Sequence, residues 1–461
     1  MALPCIQSCI HIIGLGVAEN AELSNAAEQA LCKSKVVIGS ARQLETITPF
    51  LCNLDTDPLL IELPKLSALD PLIKSHAGKN VSVLASGDPL FYGIGRWFSK
   101  NYPSERLCYH PAISSIQAAC HALGLSLQDV EVLSLHGRPL EKIRTKLQRQ
   151  KTLVILTDKN SSPQVLAEEC VAAGFEQSTL CVCEKLGYET QQVREFKVAE
   201  LVADTSSYEF DPLHITVIKT SGGGGVLPEF PGIPDGRYIT EGESGKGMIT
   251  KREVRLAIVS LMQPGNDDVI WDVGAGCGGV AVELAYWNER VQVHAVEHNA
   301  SRLACLEANR DRFGVVSNLH IVEGRAPQVL KALPPANKVF IGGSDGELEN
   351  LLKKVWQQLP NNGVLVASAV TENTKQHLIA FAEFLYDEQE DSQKCNQKDK
   401  RKIAEVETLQ VAINKGSMLA GQLMYRPNLP VTLFKYVKLY DSVDIGSDIH
   451  LDVHSDKGNA Q

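Results

Sequence analysis

The stretch IWDVGAGCGGVAVELA, residues 270–285, decides how the second half of this chain is read. An apolar strand delivers Asp272. Glycines then stand at alternate positions, Gly274, Gly276 and Gly278, and a helical pattern begins at once. Glycines so placed let the backbone turn sharply after a strand and let main-chain N–H groups at a helix start approach a ligand. The next apolar strand, VQVHAVEHN (291–299), ends on Glu297. An acid at that carboxyl-end tip can accept hydrogen bonds from both hydroxyls of a ribose.

Outward from this motif, strands alternate with helices. TKREVRLAIVSLM (250–262) spaces Val254, Ile258 and Leu261 for one helical face, and SRLACLEANRDRFG (301–314) reads as another helix. NLHIVEGRAP (318–327), NKVFIGGS (337–344), NGVLVASAV (362–370) and VTLFKYVKL (431–439) supply further strands. The first half repeats the alternation with CIHIIGLG (9–16), KVVIGS (35–40), NVSVLASGDPLFYGIG (80–95), KTLVILTD (151–158), TLCVCEKLG (179–187) and HITVIKT (214–220). Such alternation predicts α/β folding around mostly parallel sheets. Between the halves lies KTSGGGGVLPEFPGIPDGRY (219–238), too rich in glycine and proline for a helix or central strand. We therefore expect a first domain over 8–220, a linker over 221–235 and a second domain over 236–440. Within the second, 387–402 (DEQEDSQKCNQKDKRK) reads as a solvated insertion, and 441–461 as an acidic, frayed tail.

Composition narrows the function. The 461 residues carry 44% hydrophobic and 22% charged side chains, which suits folded domains, and the length calls for more than one core. A net charge of −10 argues against a nucleic-acid partner. The 12 cysteines show no C-x-x-C pair or zinc-type spacing, so no metal is expected. No signal peptide and no apolar run long enough for a membrane helix is evident, which makes a cytoplasmic protein away from membranes the expectation. For the glycine motif, a dinucleotide is the rival ligand. Three details favour S-adenosylmethionine: the D-V-G-x-G-x-G form, last glycines one residue closer than in the dinucleotide pattern, and the second acid on the very next strand.

The second half resembles the C15-methylating, decarboxylating enzymes of corrin synthesis. The resemblance rests on GIPDGRYITEGESGKGMITKREVR (232–255), VEGRAP (322–327), FIGGSDGELENLL (340–352), NGVLVASAVTEN (362–373) and INKGSMLAGQLMYRPNLPVTLF (413–434). It implies a Rossmann-like class I methyltransferase fold in which Thr250, Gly274, Ala275, Gly276, Cys277, Gly278, Glu297 and Ala326 contact the cofactor. Arg325 stands where such enzymes often carry Asp near the adenine.

The first half contains GLG (14–16), SGDPLFYG (86–93), PAISSIQAAC (111–120) and SLHGR (134–138). By themselves, Gly87-Asp88-Pro89 marks a turn and Ser114 and Ser115 can cap a helix. In this order they resemble the tetrapyrrole methylases, a two-lobed α/β fold, and VVIGSARQLE (36–45), HGR (136–138) and VCEKLGYETQQV (182–193) point to the C5-methylating branch. The resemblance implies a cofactor cleft formed by Gly14, Gly16, Gly87, Asp88, Pro89, Ser114 and Ser115. The first turn, GLGVAEN, lacks the Pro-Gly or Asp-Gly usual after its second glycine.

Together the halves resemble the fused C5,15-methylating, decarboxylating family of cobalamin synthesis. That implies one S-adenosylmethionine per domain, precorrin-6B or its cobalt form as substrate, a precorrin-8 product and a homo-oligomer. Arg138, Arg255 and Lys415 are the expected partners of substrate carboxylates. The alternatives are methylation of another substrate such as RNA, or an S-adenosylmethionine sensor without turnover.

Overall fold

The computed structural model describes residues 9–51, 57–204, 207–242, 247–395 and 402–439. The chain divides into two units between Val226 and Leu227.

In the first unit, five short apolar strands form a wholly parallel sheet in the order Leu59–Glu62, Val36–Gly39, Val81–Ala85, Ile10–Gly14, Leu107–His110. Its inner strands are buried on both faces, which is why they read as unbroken apolar runs rather than alternating ones. One face packs on the helix Asn25–Cys32 through Ile13, Val37, Leu84, Ala27 and Leu31. Phe98, Tyr102, Leu69 and Ile73 close the other. A second sheet runs Glu131–Ser134, Thr152–Leu156, His214–Lys219, Thr179–Glu184, Gln192–Lys197. Here the expectation of mostly parallel strands fails: only the first pair is parallel. The loop 185–191 between two successive strands is too short for a crossover helix, so those strands pair as a hairpin. The helix Ser115–Leu123 lies against this second sheet through Ile116, Ala119 and Cys120.

The second unit is one seven-stranded sheet in the order Leu319–Glu323, Gln292–Glu297, Val269–Val273, Lys338–Ile341, Val364–Ala369, Val431–Lys438, Ala404–Val411. The first five strands are parallel and the last two join antiparallel. Helices Arg252–Met262 and Gly279–Trp287 cover one face through Val254, Ile258, Val282 and Leu284. Leu348–Gln358 and Glu372–Cys395 cover the other through Leu351, Val355, Leu378 and Phe381. A separate hairpin, Asn414–Leu419 with Gln422–Pro427, carries Lys415.

Two boundary expectations change. Residues 221–235 are not a free spacer. The Ser221 N–H donates to Ser178 Oγ at 2.9 Å, and the Gly224 N–H to the Gly174 carbonyl at 3.0 Å, both in the first unit. Leu227 and Ile233 are buried in the second, where the Gly232 N–H donates to Glu283 at 2.6 Å. The supposed insertion begins as helix: Glu372–Cys395 is continuous, consistent with the good helix propensity of Glu, Gln and Lys. The remainder of that stretch up to residue 401, and the tail over 441–461, lie outside the described residues.

Candidate functional site

In the second unit a cavity of about 430 Å³ opens at the carboxyl ends of the parallel strands. Its floor is main chain. Gly274 has φ +74°, and an added Cβ would lie 2.7 Å from the Gly343 amide nitrogen and carbonyl oxygen. Only glycine permits both that conformation and that approach between two strand ends. Glu297 is buried at the tip of its strand and faces the cavity. Its Oε2 accepts from the Gly276 N–H at 2.9 Å, and its Oε1 from the His298 and Asn299 N–H groups, each at 2.9 Å. A carboxylate offers about four acceptor positions, so capacity remains for a ligand hydroxyl. Thr250, Ala275 and Ala326 also line the cavity. These features fit a nucleoside-bearing cofactor: a cradle that side chains would fill, with an oriented acid beside it.

Two residues at this cavity, His298 and Asp345, lie within quoted motifs, yet nothing in their spacing marked them. His298 Nε2 is 3.2 Å from Asp345 Oδ2, and Arg325 Nη1 is 3.8 Å from the same oxygen. Behind the loop, Asp272 is fully enclosed and neither oxygen meets a hydrogen-bond partner of ordinary geometry. Burial pushes its carboxyl up to about 7; the Ala281 amide opposes that rise and the Glu297 charge adds to it.

Several assignments in this unit are corrected. Cys277 and Gly278 do not line the cavity. The Cys277 thiol turns back to Glu241, with Sγ 2.9 Å from Oε2, and Gly278 caps the following helix where Leu306 occupies the space of a side chain. Arg255 does not reach a substrate. It is fully buried, pairs with Asp235 at 2.7 Å and Glu283 at 3.5 Å, donates to the Ile233 and Thr250 carbonyls, and lies over the Tyr238 ring. Lys415 is half-exposed but already 3.4 Å from Glu253 and 3.8 Å from Asp235. Glu241, from the segment before the helix Arg252–Met262, is taken up with Cys277.

The first unit holds a larger cavity, about 1200 Å³, at strand ends of both its sheets. Gly16 and Gly87 form a backbone bridge, with the Gly87 N–H donating to the Gly16 carbonyl at 2.9 Å. Gly16, Gly87, Ser114, Ser115 and Arg138 line it; Gly14, Asp88 and Pro89 do not. Gly14 is a packing position, because a Cβ there would sit 2.6 Å from the Gly87 carbonyl oxygen. Asp88 Oδ1 accepts from the Leu90 and Phe91 N–H groups at 2.8 and 3.1 Å, and the Pro89 carbonyl accepts from Gly95, so both shape the turn. Ser114 accepts from the Gln117 N–H as a helix cap, the bland reading of that serine, while still facing the cavity.

Arg138 has company that the motifs did not announce. Arg42 and Lys159 also line this cavity, and none of the three cations has a carboxylate partner among the described residues. Arg138 lies over the Tyr92 ring at 5.8 Å, and Arg42 makes one long contact of 3.4 Å to Ser86 Oγ. The acid Asp158 is taken up by the Gly137 and Asn160 N–H groups and by Ser161.

Each unit is a different α/β fold with a cavity at its strand ends, the arrangement of a two-domain enzyme. Residues 9–202 match the Tetrapyrrole (Corrin/Porphyrin) Methylases, and residues 244–438 match the Precorrin methyltransferase domain. A "Precorrin-6Y C(5,15)-methyltransferase [decarboxylating]" of Sinorhizobium sp. is 30% identical over 431 residues, covering 93% of this chain and 96% of the relative. The halves also match separate proteins. A "Cobalt-precorrin-7 C(5)-methyltransferase" of Salmonella typhimurium is 29% identical over 42% of this chain and 94% of its own. A "Probable cobalt-precorrin-6B C(15)-methyltransferase (decarboxylating)" of Methanothermobacter thermautotrophicus is 37% identical over 31% of this chain and 72% of its own. The chain belongs to the family of decarboxylating precorrin-6Y C5,15-methyltransferases, S-adenosylmethionine-dependent enzymes of cobalamin biosynthesis.

Proposed function

We propose that the second unit methylates C15 of precorrin-6B, or its cobalt form, and removes the carboxyl of the C12 acetate, and that the first unit then methylates C5 to give a precorrin-8 product. Each unit uses its own S-adenosylmethionine. The observation that carries this reading is the pair of separate cavities, each in the half that matches a single-activity relative. The relatives' names also support the order, since the C15 enzyme is named for precorrin-6B and the C5 enzyme for precorrin-7.

The cofactor supplies a methyl group on a sulfonium. A nucleophilic ring carbon forms the new C–C bond while the C–S electron pair returns to sulfur, so no side-chain nucleophile is needed. What the chain contributes is alignment and exclusion of water. Glu297 and the Gly274–Gly276 main chain orient the donor in one unit, and the Gly16–Gly87 bridge does so in the other. In the first unit Arg42, Arg138 and Lys159 receive substrate carboxylates, because unpaired cations in a shared cavity are what a polycarboxylate needs. Loss of carbon dioxide leaves an electron pair that the conjugated ring accepts.

A cytoplasmic homo-oligomer without nucleic-acid or membrane partners completes the proposal. The charge of −10 disfavours a nucleic-acid partner, and no helix among the described residues is long and apolar enough to cross a membrane. The test is mass spectrometry of the product from precorrin-6B and S-adenosylmethionine. The expected product has gained two methyl groups and lost one carbon dioxide. A product carrying only one added methyl sinks the two-site reading.

A further inference from the structure

We propose that Glu241, Cys277 and Cys305 form a site for one thiophilic divalent cation of the zinc class on the back of the glycine loop. Three segments distant in sequence each bring one ligand atom, and these atoms all lie within 4.8 Å of one another. Cys277 Sγ is 2.9 Å from Glu241 Oε2, both thiols are buried, and Glu241 stands on the solvent side, which gives an ion a way in. Zinc bonds of about 2.3 Å to sulfur and 2.0 Å to oxygen hold tetrahedral ligand atoms roughly 3.5–3.8 Å apart, so side-chain shifts of about an ångström close the site. The fourth position is left to water.

The donor set selects the metal class. Two thiolates with a carboxylate suit zinc or cadmium and disfavour magnesium or calcium, which take oxygen ligands. On binding, each thiol releases its proton to solvent. The ligands then carry three negative charges against two on the ion, and Arg302, with Nε 3.5 Å from Glu241 Oε1, offsets the remainder. The site is also wired to the cofactor cavity. Glu241 accepts from the Met248 N–H at 3.3 Å, the Met248 carbonyl accepts from the Cys277 N–H at 3.3 Å, and Met248 lines the cavity. A cation joining Glu241 to Cys277 would therefore act on the loop that holds the methyl donor.

The test uses the full chain, reduced and stripped of metal, titrated with Cd²⁺ while the ultraviolet thiolate-to-cadmium band is followed, then with Zn²⁺ as competitor. Wild type is expected to bind one more equivalent than Cys277→Ser or Cys305→Ala, and Zn²⁺ to displace it. Glu241→Gln should weaken that equivalent at least tenfold. Equal uptake and equal band intensity in wild type and Cys305→Ala would overturn the proposal. So would unchanged affinity in Glu241→Gln, whose solvent-side position leaves the fold intact if a cysteine variant fails. The readout needs neither methyl donor nor macrocycle, so failure here leaves the methylation reading standing.

Discussion

The two cavities differ in what lines them. In the second unit, a cavity of about 430 Å³ is floored by glycine main chain, with Glu297 held beside it by three backbone N–H groups. In the first, about 1200 Å³ is ringed by Arg42, Arg138 and Lys159. A small site that grips a nucleoside is specified by backbone approach, which glycine alone allows. What sets the first cavity apart is side-chain charge, three cations with no carboxylate partner among the described residues. The arginines make the same contrast. Arg255 satisfies itself inside the fold, whereas Arg138 is left open to a ligand.

That contrast can be broken most forcefully at Arg255. Replacing it with alanine leaves Asp235 and Glu283 without their buried counter-ion and should cost the second unit about 3–5 kcal/mol in denaturant unfolding. A cost below about 1 kcal/mol would return Arg255 to the pool of functional arginines. Next comes Asp272. Its folded carboxyl titrates at about 7, so the folded state holds a proton that the unfolded chain releases near pH 4. Stability from this group is full below about pH 4 and is lost as pH rises toward 7, by an amount on the order of 3–4 kcal/mol. Asp272→Asn should flatten that slope; parallel pH curves for variant and wild type would show the carboxyl is not the source. Third, Glu297→Gln should weaken methyl-donor binding in the second unit about 100-fold, roughly 2–3 kcal/mol for disrupted charge-assisted hydrogen bonds. C15 methylation and decarboxylation should fall together while C5 methylation of supplied intermediate persists. An equal fall in both methylations would erase the distinction between the cavities.

What could be read from the sequence follows the same physical divide. The turn through Gly274 and Gly276 was legible because it is a demand on the backbone, and Glu297 because it is the acid that ends the very next strand. Arg255 was not, since helical spacing says which face a residue shares but not that Asp235 and Glu283 arrive beside it from other segments. Cys277 looked like a lining residue by position, yet its neighbours' left-handed glycine conformations turn the thiol toward Glu241. Arg42 sits inside a recognised stretch, VVIGSARQLE, with nothing in its spacing to mark it as cavity-facing. The antiparallel pairing in the first unit's second sheet escaped because apolar strands look alike in either direction; only the short loop 185–191 carried the signal.

The smallest expected effect is at Arg138, and it is the one that most sharpens the comparison. The guanidinium is oriented over Tyr92 and makes one weak contact, 3.4 Å to the Ser134 carbonyl, so little stability depends on it. Two other cations share the cavity, so a substrate with several carboxylates keeps most of its anchorage when one is lost. Arg138→Ala should therefore raise KM for the C5 step about tenfold, close to 1.4 kcal/mol, with kcat and methyl-donor affinity little changed. Arg138→Lys should recover part of the loss, since it restores the charge without the planar fork. If kcat falls instead while KM holds, Arg138 aligns the ring in the transition state rather than docking a carboxylate. The first cavity would then be governed by positioning, as the second is.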